Sequence, residues 1–432
     1  MSQNVLLIAL DSARKDVYDS VSHTRDIAGL RFENARAASC WSVPSHPSIF
    51  TGMLPSQHGI HAHNINLDLT DFDTICDQWD GRTFGVSSNV YASSSYGFNK
   101  IFDRFVDVPR YQPFLDGLDA TDYFRNTDRE GISMHFGFLA ESIKSQSIVK
   151  SLLNGGAAQA KKTLMGTPIP EPLDDGATLA LNLLKQEVKR SDKSVFGFAN
   201  LMETHEPYSF FRGMDENLVD KKGWSSLHVD RWDLIYNECA KRDKVLMRQY
   251  HRATVEYVTR KIAELAEDLP NTTIIVTSDH GENLGYPEED NLWGHTSSLS
   301  DALCHVPLDI INPPTNVGAV EKLVSHLDLP KIVQSLADGE IPEIDRAVAP
   351  AETLGMAAGP EPPADKDHWN RGIRAVWSDD QMVVWDSESN ELPAWAQDEF
   401  DISIEKAKSN ASDKDVSIDA ATEARLEELG YI

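Results

Sequence analysis

The chain lacks any run of about 18 apolar residues, the length needed to cross a bilayer as a helix, so no membrane span is expected. Its first residues carry no basic stretch followed by an apolar one, and the expected location is cytoplasmic. Cysteine is scarce: Cys40, Cys76, Cys239 and Cys304 are scattered without CxxC spacing, which excludes a zinc knuckle and a disulfide framework. Basic residues are few, with 40 Lys and Arg against 68 Asp and Glu and a formal net charge of −28. An acidic surface disfavours nucleic acid and anionic membranes. It also repels an anionic substrate, unless a metal or local cations reverse the field at the site. The charge leads to the expectation of a halophilic protein from a high-salt cytoplasm, where ions screen the self-repulsion. Internal repeats are absent.

What is present is a globular composition, with 432 residues, 41% hydrophobic content and nine tryptophans. Such a chain can bury one large α/β domain plus a smaller piece. Residues 4–10 form a continuous apolar run, the mark of a strand covered on both faces. They end on Asp11, where open α/β sheets place their chemistry, although a helix N-cap explains an aspartate there equally well. Similar strands are expected over 29–37, 82–89, 194–201, 271–278 and 306–311, the third of these emptying near His205 and the fourth onto Asp279-His280-Gly281-Glu282. Helices are expected over 141–153, 176–190 and 241–268. Residues 106–175 are expected to be an insertion over the active-site edge, with an irregular Gly/Ala/Lys/Pro-rich stretch from 155 to 172. Beyond 340 the texture becomes Pro/Ala-rich. A hairpin over 372–386 and a last helix over 419–429 then make a small C-terminal subdomain.

The stretch Ser42-Val43-Pro44-Ser45-His46, closing on Thr51-Gly52, reads as a loop turning into a short helix, with Pro44 in the first turn. Ser42 then lies among free amide donors and a partial positive charge, where an anion docks and a hydroxyl can attack. The bland alternative is a helix cap. His58, His61 and His63 crowd a Gly-containing turn. Three histidines so close suggest a metal tract, but surface histidines in a polar turn are the more frequent case and are expected here, while the Asn64 amide there can donate to an oxyanion. Asp279 and His280, adjacent on a tight turn, make a plausible metal-ligand pair.

Taken together these motifs resemble the sulfatases and their alkaline-phosphatase-superfamily relatives. The family signature C/S-x-P-S-R-x4-T-G is matched in register by Ser42, Pro44, Ser45, His46, Thr51 and Gly52. The strand ending on Asp11, the Thr277–Glu282 segment, His205-Glu206-Pro207-Tyr208 and Gly294-His295 resemble further landmarks. The resemblance implies an α/β fold with a large, mostly parallel central sheet flanked by helices, spanning 1–340 as the catalytic domain. It implies one divalent cation (Ca, Mn, Zn or Mg) on Asp11, Asp279, His280 and Ser42. Ser42 would be the nucleophile, as alkoxide or after oxidation to formylglycine. His205 and His295 would be catalytic, and Asn64, His46 and Arg14 would contact substrate, a small-molecule or glycan sulfate or phosphate ester. Two positions depart from the pattern: Ser12 replaces a second acid, and His46 replaces the signature Arg that the aldehyde-forming machinery would read. An Asp-His metal pair is more like the phosphonate and phosphodiester hydrolases of the superfamily. Cys40 is two residues out of register for the aldehyde and is expected to be a core thiol.

Overall fold

A computed structural model describes residues 3–426, less 111, 237–240, 296, 360, 379–380, 388–391, 410–421 and 424–425. Strands β1 (Asn4–Leu10), β2 (Ala28–Arg36), β3 (Arg82–Ser87), β4 (Arg104–Asp107), β5 (Val195–Leu201) and β6 (Thr272–Ser278) supply most of the central sheet. After a small ribbon of β7 (Asn283–Leu284) and β8 (Trp293–Gly294), the sheet is completed by β9 (His305–Val306), β10 (Leu308–Ile311) and β11 (Gly318–Ser325). The order is β11-β2-β10-β6-β1-β5-β3-β4, with β9 paired to β2. Only β9 and β10 run against the rest, so the sheet is mostly parallel. The single strand expected over 306–311 is interrupted at Pro307, which has no N–H to give to a ladder.

β1 shows why the sheet is buried on both faces. Successive side chains of a strand alternate sides. Val5, Leu7 and Ala9 pack with Val43, Phe50, Ile332 and Leu336, from helices Ser42–Thr51 and Leu329–Ala337. Leu6, Ile8 and Leu10 pack instead with Leu184, Val258 and Ile262, from helices Ala177–Arg190 and Lys241–Asp268. These six side chains are fully buried, the larger ones contributing about 1.5–3 kcal/mol each.

Beyond the sheet, β12 (Val348–Leu354), β13 (Gly372–Ser378) and β14 (Met382–Asp386) form a three-stranded antiparallel sheet. Its Ala349, Ala351, Ile373, Ala375 and Trp377 join the same core as β1. The last helix expected over 419–429 falls almost wholly outside the described residues.

The stretch 106–175 differs from expectation. It leaves the sheet at the C-terminal end of β4 and carries helices Ala120–Asn126, Ile132–Lys144 and Ile148–Leu164. The single helix expected over 141–153 is therefore two, separated at 145–147, and the irregular stretch expected from 155 is helical to Leu164. Gly155 sits inside that helix because of a close approach: a Cβ there would lie 2.2 Å from the Phe138 ring.

Candidate active site

Strand register sets the site. Leu10 of β1 lies level with Leu201 of β5 and Ser278 of β6, and Ser87 of β3 lies level with Asn200. The residues that follow these parallel strands therefore emerge at one rim, as the fold class dictates. Asp11 follows β1, Asn89 follows β3, His205 follows β5, and Asp279 with His280 follows β6.

Asp11, Asp279 and His280 are fully buried and each offers a ligand atom, all within 4.8 Å of one another. His280 Nε2 lies 3.9 Å from Asp11 Oδ1 and 3.6 Å from Asp279 Oδ2. Its Nδ1–H donates to the Gly281 carbonyl at 2.8 Å, which leaves the lone pair on Nε2 facing the acids. That Nε2 is buried and has no hydrogen-bond partner. Two carboxylates and an unsatisfied imidazole nitrogen converging on one buried point fit a divalent cation. Burial, and then the charge of Asp279, pushes the Asp11 carboxyl above its ordinary range, a cost that a cation bound there would reverse. Ser12 holds the acids together: at φ 64° its backbone turns left-handed, its N–H donates to Asp279 Oδ1 at 3.2 Å and its hydroxyl to Asp11 Oδ1 at 3.1 Å.

Ser42 opens the helix Ser42–Thr51 after Trp41, with Pro44 in its first turn. Its Oγ donates to Asp279 Oδ2 at 2.7 Å and lies 3.4 Å from Asp11 Oδ2. Asn89 completes this group. Its Nδ2 donates to Asp11 Oδ2 at 2.6 Å and to Ser42 Oγ at 3.0 Å. The amide is oriented by its own oxygen, which accepts from the Tyr91 N–H at 2.7 Å and the Ala92 N–H at 3.3 Å.

Beside this cluster stand the His205, His295 and His280 rings, with centroids 5.2 Å apart for the first pair and 5.0 Å for His295 and His280. His205 Nδ1 donates to the Glu206 carbonyl. His295 enters from the β7–β8 ribbon, and its Nδ1 lies 3.6 Å from Glu282 Oε1. Burial, and then the nearby Arg231 cation, holds the His295 imidazole well below its ordinary pKa, so it is neutral at pH 7. Burial, and then the charge of Glu206, raises Glu282, which favours its protonated form.

The family model described as Sulfatase matches residues 3–339. The chain belongs to the sulfatase family. It is 26% identical over 336 residues to the uncharacterized sulfatase YidJ of Escherichia coli (strain K12), covering 73% of this chain and 62% of that protein. The chain thus spans less than two thirds of the length of that curated relative. In fold it is similar to the phosphonate monoester hydrolase of Agrobacterium radiobacter, with TM-score 0.58, 14% identity and 89% of each chain covered. It is likewise similar to BT1596, a 2-O GAG sulfatase, with TM-score 0.57, 13% identity, and 90% and 83% of the two chains covered.

Three positions expected at this sulfatase-family site lie differently. His46 is buried with both ring nitrogens engaged: Nδ1 donates to the Ser42 carbonyl at 2.8 Å, and Nε2 accepts from the Asn200 amide at 3.0 Å. It braces the turn that carries Ser42. Arg14 is tied to Glu289, to the Glu282 carbonyl at 2.9 Å and to both Asp16 oxygens at 2.9 and 2.8 Å. The Asn64 amide donates to the Gly59 carbonyl at 2.7 Å and so serves its own turn. His58 and His61, expected on the surface, are buried; His58 meets Ser48 Oγ at 3.2 Å and the Ile60 N–H at 3.1 Å. Cys40 is a buried free thiol, as a core role requires.

Asn89 is the residue that sequence reasoning missed. The signal was present: a polar residue just past a parallel strand, the same placement that singled out Asp11 and Asp279. An amide at a strand end is common in turns, and nothing local distinguishes it.

Proposed function

We propose that the protein is a metal-dependent hydrolase of sulfate esters, with Ser42 supplying the attacking oxygen. One observation carries this reading: Asp11, Asp279 and His280 converge on one buried point, with the Ser42 hydroxyl 2.7 Å from Asp279. A divalent cation held by Asp11, Asp279 and His280 beside Ser42 supplies Lewis acidity, lowering the pKa of a hydroxyl and polarising ester oxygens.

The chain's own groups do the rest. Asp279 accepts the Ser42 proton-bearing hydroxyl and fixes its direction. The Asn89 amide, aimed at Ser42 Oγ, stabilises negative charge developing on that oxygen. The helix N-terminus behind Ser42 adds a favourable field for an anionic ester group. His205 and His295, neighbours in the same recess, are placed to handle the proton of the leaving alcohol. Neutral His295 can give its Nε2 proton to the departing alcohol oxygen while its Nδ1 takes one from protonated Glu282, 3.6 Å away, which leaves the carboxylate behind.

A second reading, hydrolysis of phosphate mono- or diesters or phosphonates or phosphoryl transfer, is favoured by His46. It stands where the signature carries the Arg expected for formylglycine formation, and it is committed to bracing the Ser42 turn. Turnover of aryl sulfate, aryl phosphate and bis-aryl phosphate by the same preparation separates the two. An aldehyde mass on the Ser42 peptide supports the sulfatase reading, and an unmodified serine supports phosphoryl chemistry. If Ser42→Ala retains turnover of every ester, both readings fall.

A further inference from the structure

The helices Ile132–Lys144 and Ile148–Leu164, joined by three residues, form a hairpin that is built inside out. On the first helix Ile132, Phe136, Leu139 and Ile143 recur at one helical face, and all four are exposed, Ile132 at 75% and Phe136 at 66%. On the second, Ile148, Val149, Leu152 and Leu153 do the same, with Val149 at 70%. Apart from Phe138, the buried residues are small or polar: Gly137 and Ser142 on one helix, Ser151, Asn154 and Gly155 on the other. A helix that packs on a core in water shows the opposite arrangement.

The inward side is fully specified. Gly155 admits the Phe138 ring, and Gly137 admits the Tyr123 hydroxyl, each where a Cβ would stand 2.2 Å from its neighbour. The Asn154 amide donates to the Phe114 carbonyl at 2.9 Å and the Leu118 carbonyl at 3.1 Å, while the Ser151 hydroxyl accepts from the Leu118 N–H at 2.9 Å. Small residues between helices, polar groups satisfied inward and branched or aromatic side chains outward make the pattern of helices that contact lipid.

Charge selects the occupant. Between Ile132 and Leu164 the chain holds four lysines and one glutamate, in a protein of net charge −28. The Lys144 side chain is 69% exposed and paired to Glu141, and the Lys150 side chain is 44% exposed and paired to Asp116. Lys161 is turned back to Glu171 at 3.6 Å, so the cationic excess facing outward rests on Lys144, Lys150 and Lys162. A second copy of the chain docked through this face would set lysine-bearing hairpins against each other, whereas anionic headgroups complement them. No helix among the described residues is long and apolar enough to cross a membrane, so the hairpin lies on the surface.

We propose that this hairpin docks the protein on an anionic lipid bilayer, with Ile132, Phe136, Val149 and Leu153 entering the boundary between headgroups and acyl chains. The acidic remainder of the chain is repelled by the same surface, which orients the molecule. Composition alone argues against an anionic membrane; the local arrangement overrides it at this one face.

The test is co-sedimentation of the full chain with phosphatidylglycerol/phosphatidylcholine vesicles and with pure phosphatidylcholine vesicles, alongside sedimentation velocity without lipid. The expected result is binding to the anionic vesicles, reduced about tenfold or more by Phe136→Asp with Val149→Asp, and reduced less by Lys144→Glu with Lys150→Glu. Unchanged far-UV circular dichroism and melting of the variants show that they are folded. A wild-type chain that stays in the supernatant with anionic vesicles overturns the proposal, as does equal binding by the Asp variant. A dimer that Phe136→Asp dissolves, without vesicle binding, overturns it in favour of a second copy.

Discussion

The rim of the sheet and the 132–164 hairpin invert each other. At the rim, Asp11, Asp279, His280 and Glu282 are charged or polar and buried among apolar neighbours. On the hairpin, Ile132, Phe136 and Val149 are apolar and exposed. Each arrangement is unfavourable for an isolated chain in water, since buried charges lose hydration and exposed apolar groups order solvent. The contrast teaches that a side chain placed against its own hydration preference points to a partner, which is a cation in the reading proposed for the rim and an apolar phase in the one proposed for the hairpin.

The sharpest way to break the rim is to remove Ser42, the proposed nucleophile, or one acid. Ser42→Ala or Asp279→Ala is expected to lower kcat by ~10³-fold or more with a native circular dichroism spectrum, and steady-state assays on the responsive aryl ester check it. Chelation is expected to abolish turnover as fully, and recovery on adding Mn²⁺, Zn²⁺, Mg²⁺ or Ca²⁺ one at a time identifies the preferred ion. Asn89→Ala should cost less, about 10²-fold in kcat with KM little changed, because it removes one donor to Ser42 Oγ and to Asp11. Full activity in that variant would confine Asn89 to a structural role.

The hairpin can be broken without touching the rim. Gly155→Leu drives a side chain into the Phe138 ring and should lower stability by about 1–3 kcal/mol in urea denaturation, while aryl ester turnover is unchanged. Loss of turnover in proportion would join the two regions into one unit.

The smallest effect concerns protons. Burial, and then the neighbouring His61, holds the His58 imidazole down to about 3 from an ordinary 6.5. As pH falls below 6.5 the unfolded chain takes up a proton that the folded one refuses, so stability present above that pH is lost between about 6.5 and 3. The slope for one such group is at most about 1.4 kcal/mol per pH unit. His251 and His326 are buried and lowered to about 3 in the same sense. His58→Gln should therefore show a smaller drop in urea midpoint between pH 7 and pH 5 than the parent chain.

Much of this was legible beforehand, and for identifiable reasons. β1 is a continuous apolar run from Val5 to Leu10, β5 and β6 carry apolar stretches at their centres, and the helix Lys241–Asp268 matches its expected ends, because these signals are local. Asp11, Asp279 and His280 stood out because a parallel sheet brings the residues after its strands to one rim, and Ser42 because Pro44 marks the helix N-terminus that it opens. The roles of His46, Arg14 and Asn64 were not legible, since each depends on partners remote or unremarkable in sequence: Asn200 for His46, Glu289 for Arg14, and the Gly59 carbonyl for Asn64. The insertion was misread because Gly155 and Gly156 are helix-weakening by propensity, and only the Phe138 ring explains the first of them.

Order of residues along the chain, with its alternation of apolar strands and amphipathic helices, was enough to dictate a buried parallel sheet and to name the acids at its edge. Which hydroxyl, amide and imidazole meet those acids, and which hairpin face is left outward, depended on packing between segments hundreds of residues apart. Hydrogen bonds and close approaches of that kind act over a few ångströms in space and leave no periodic trace in the chain.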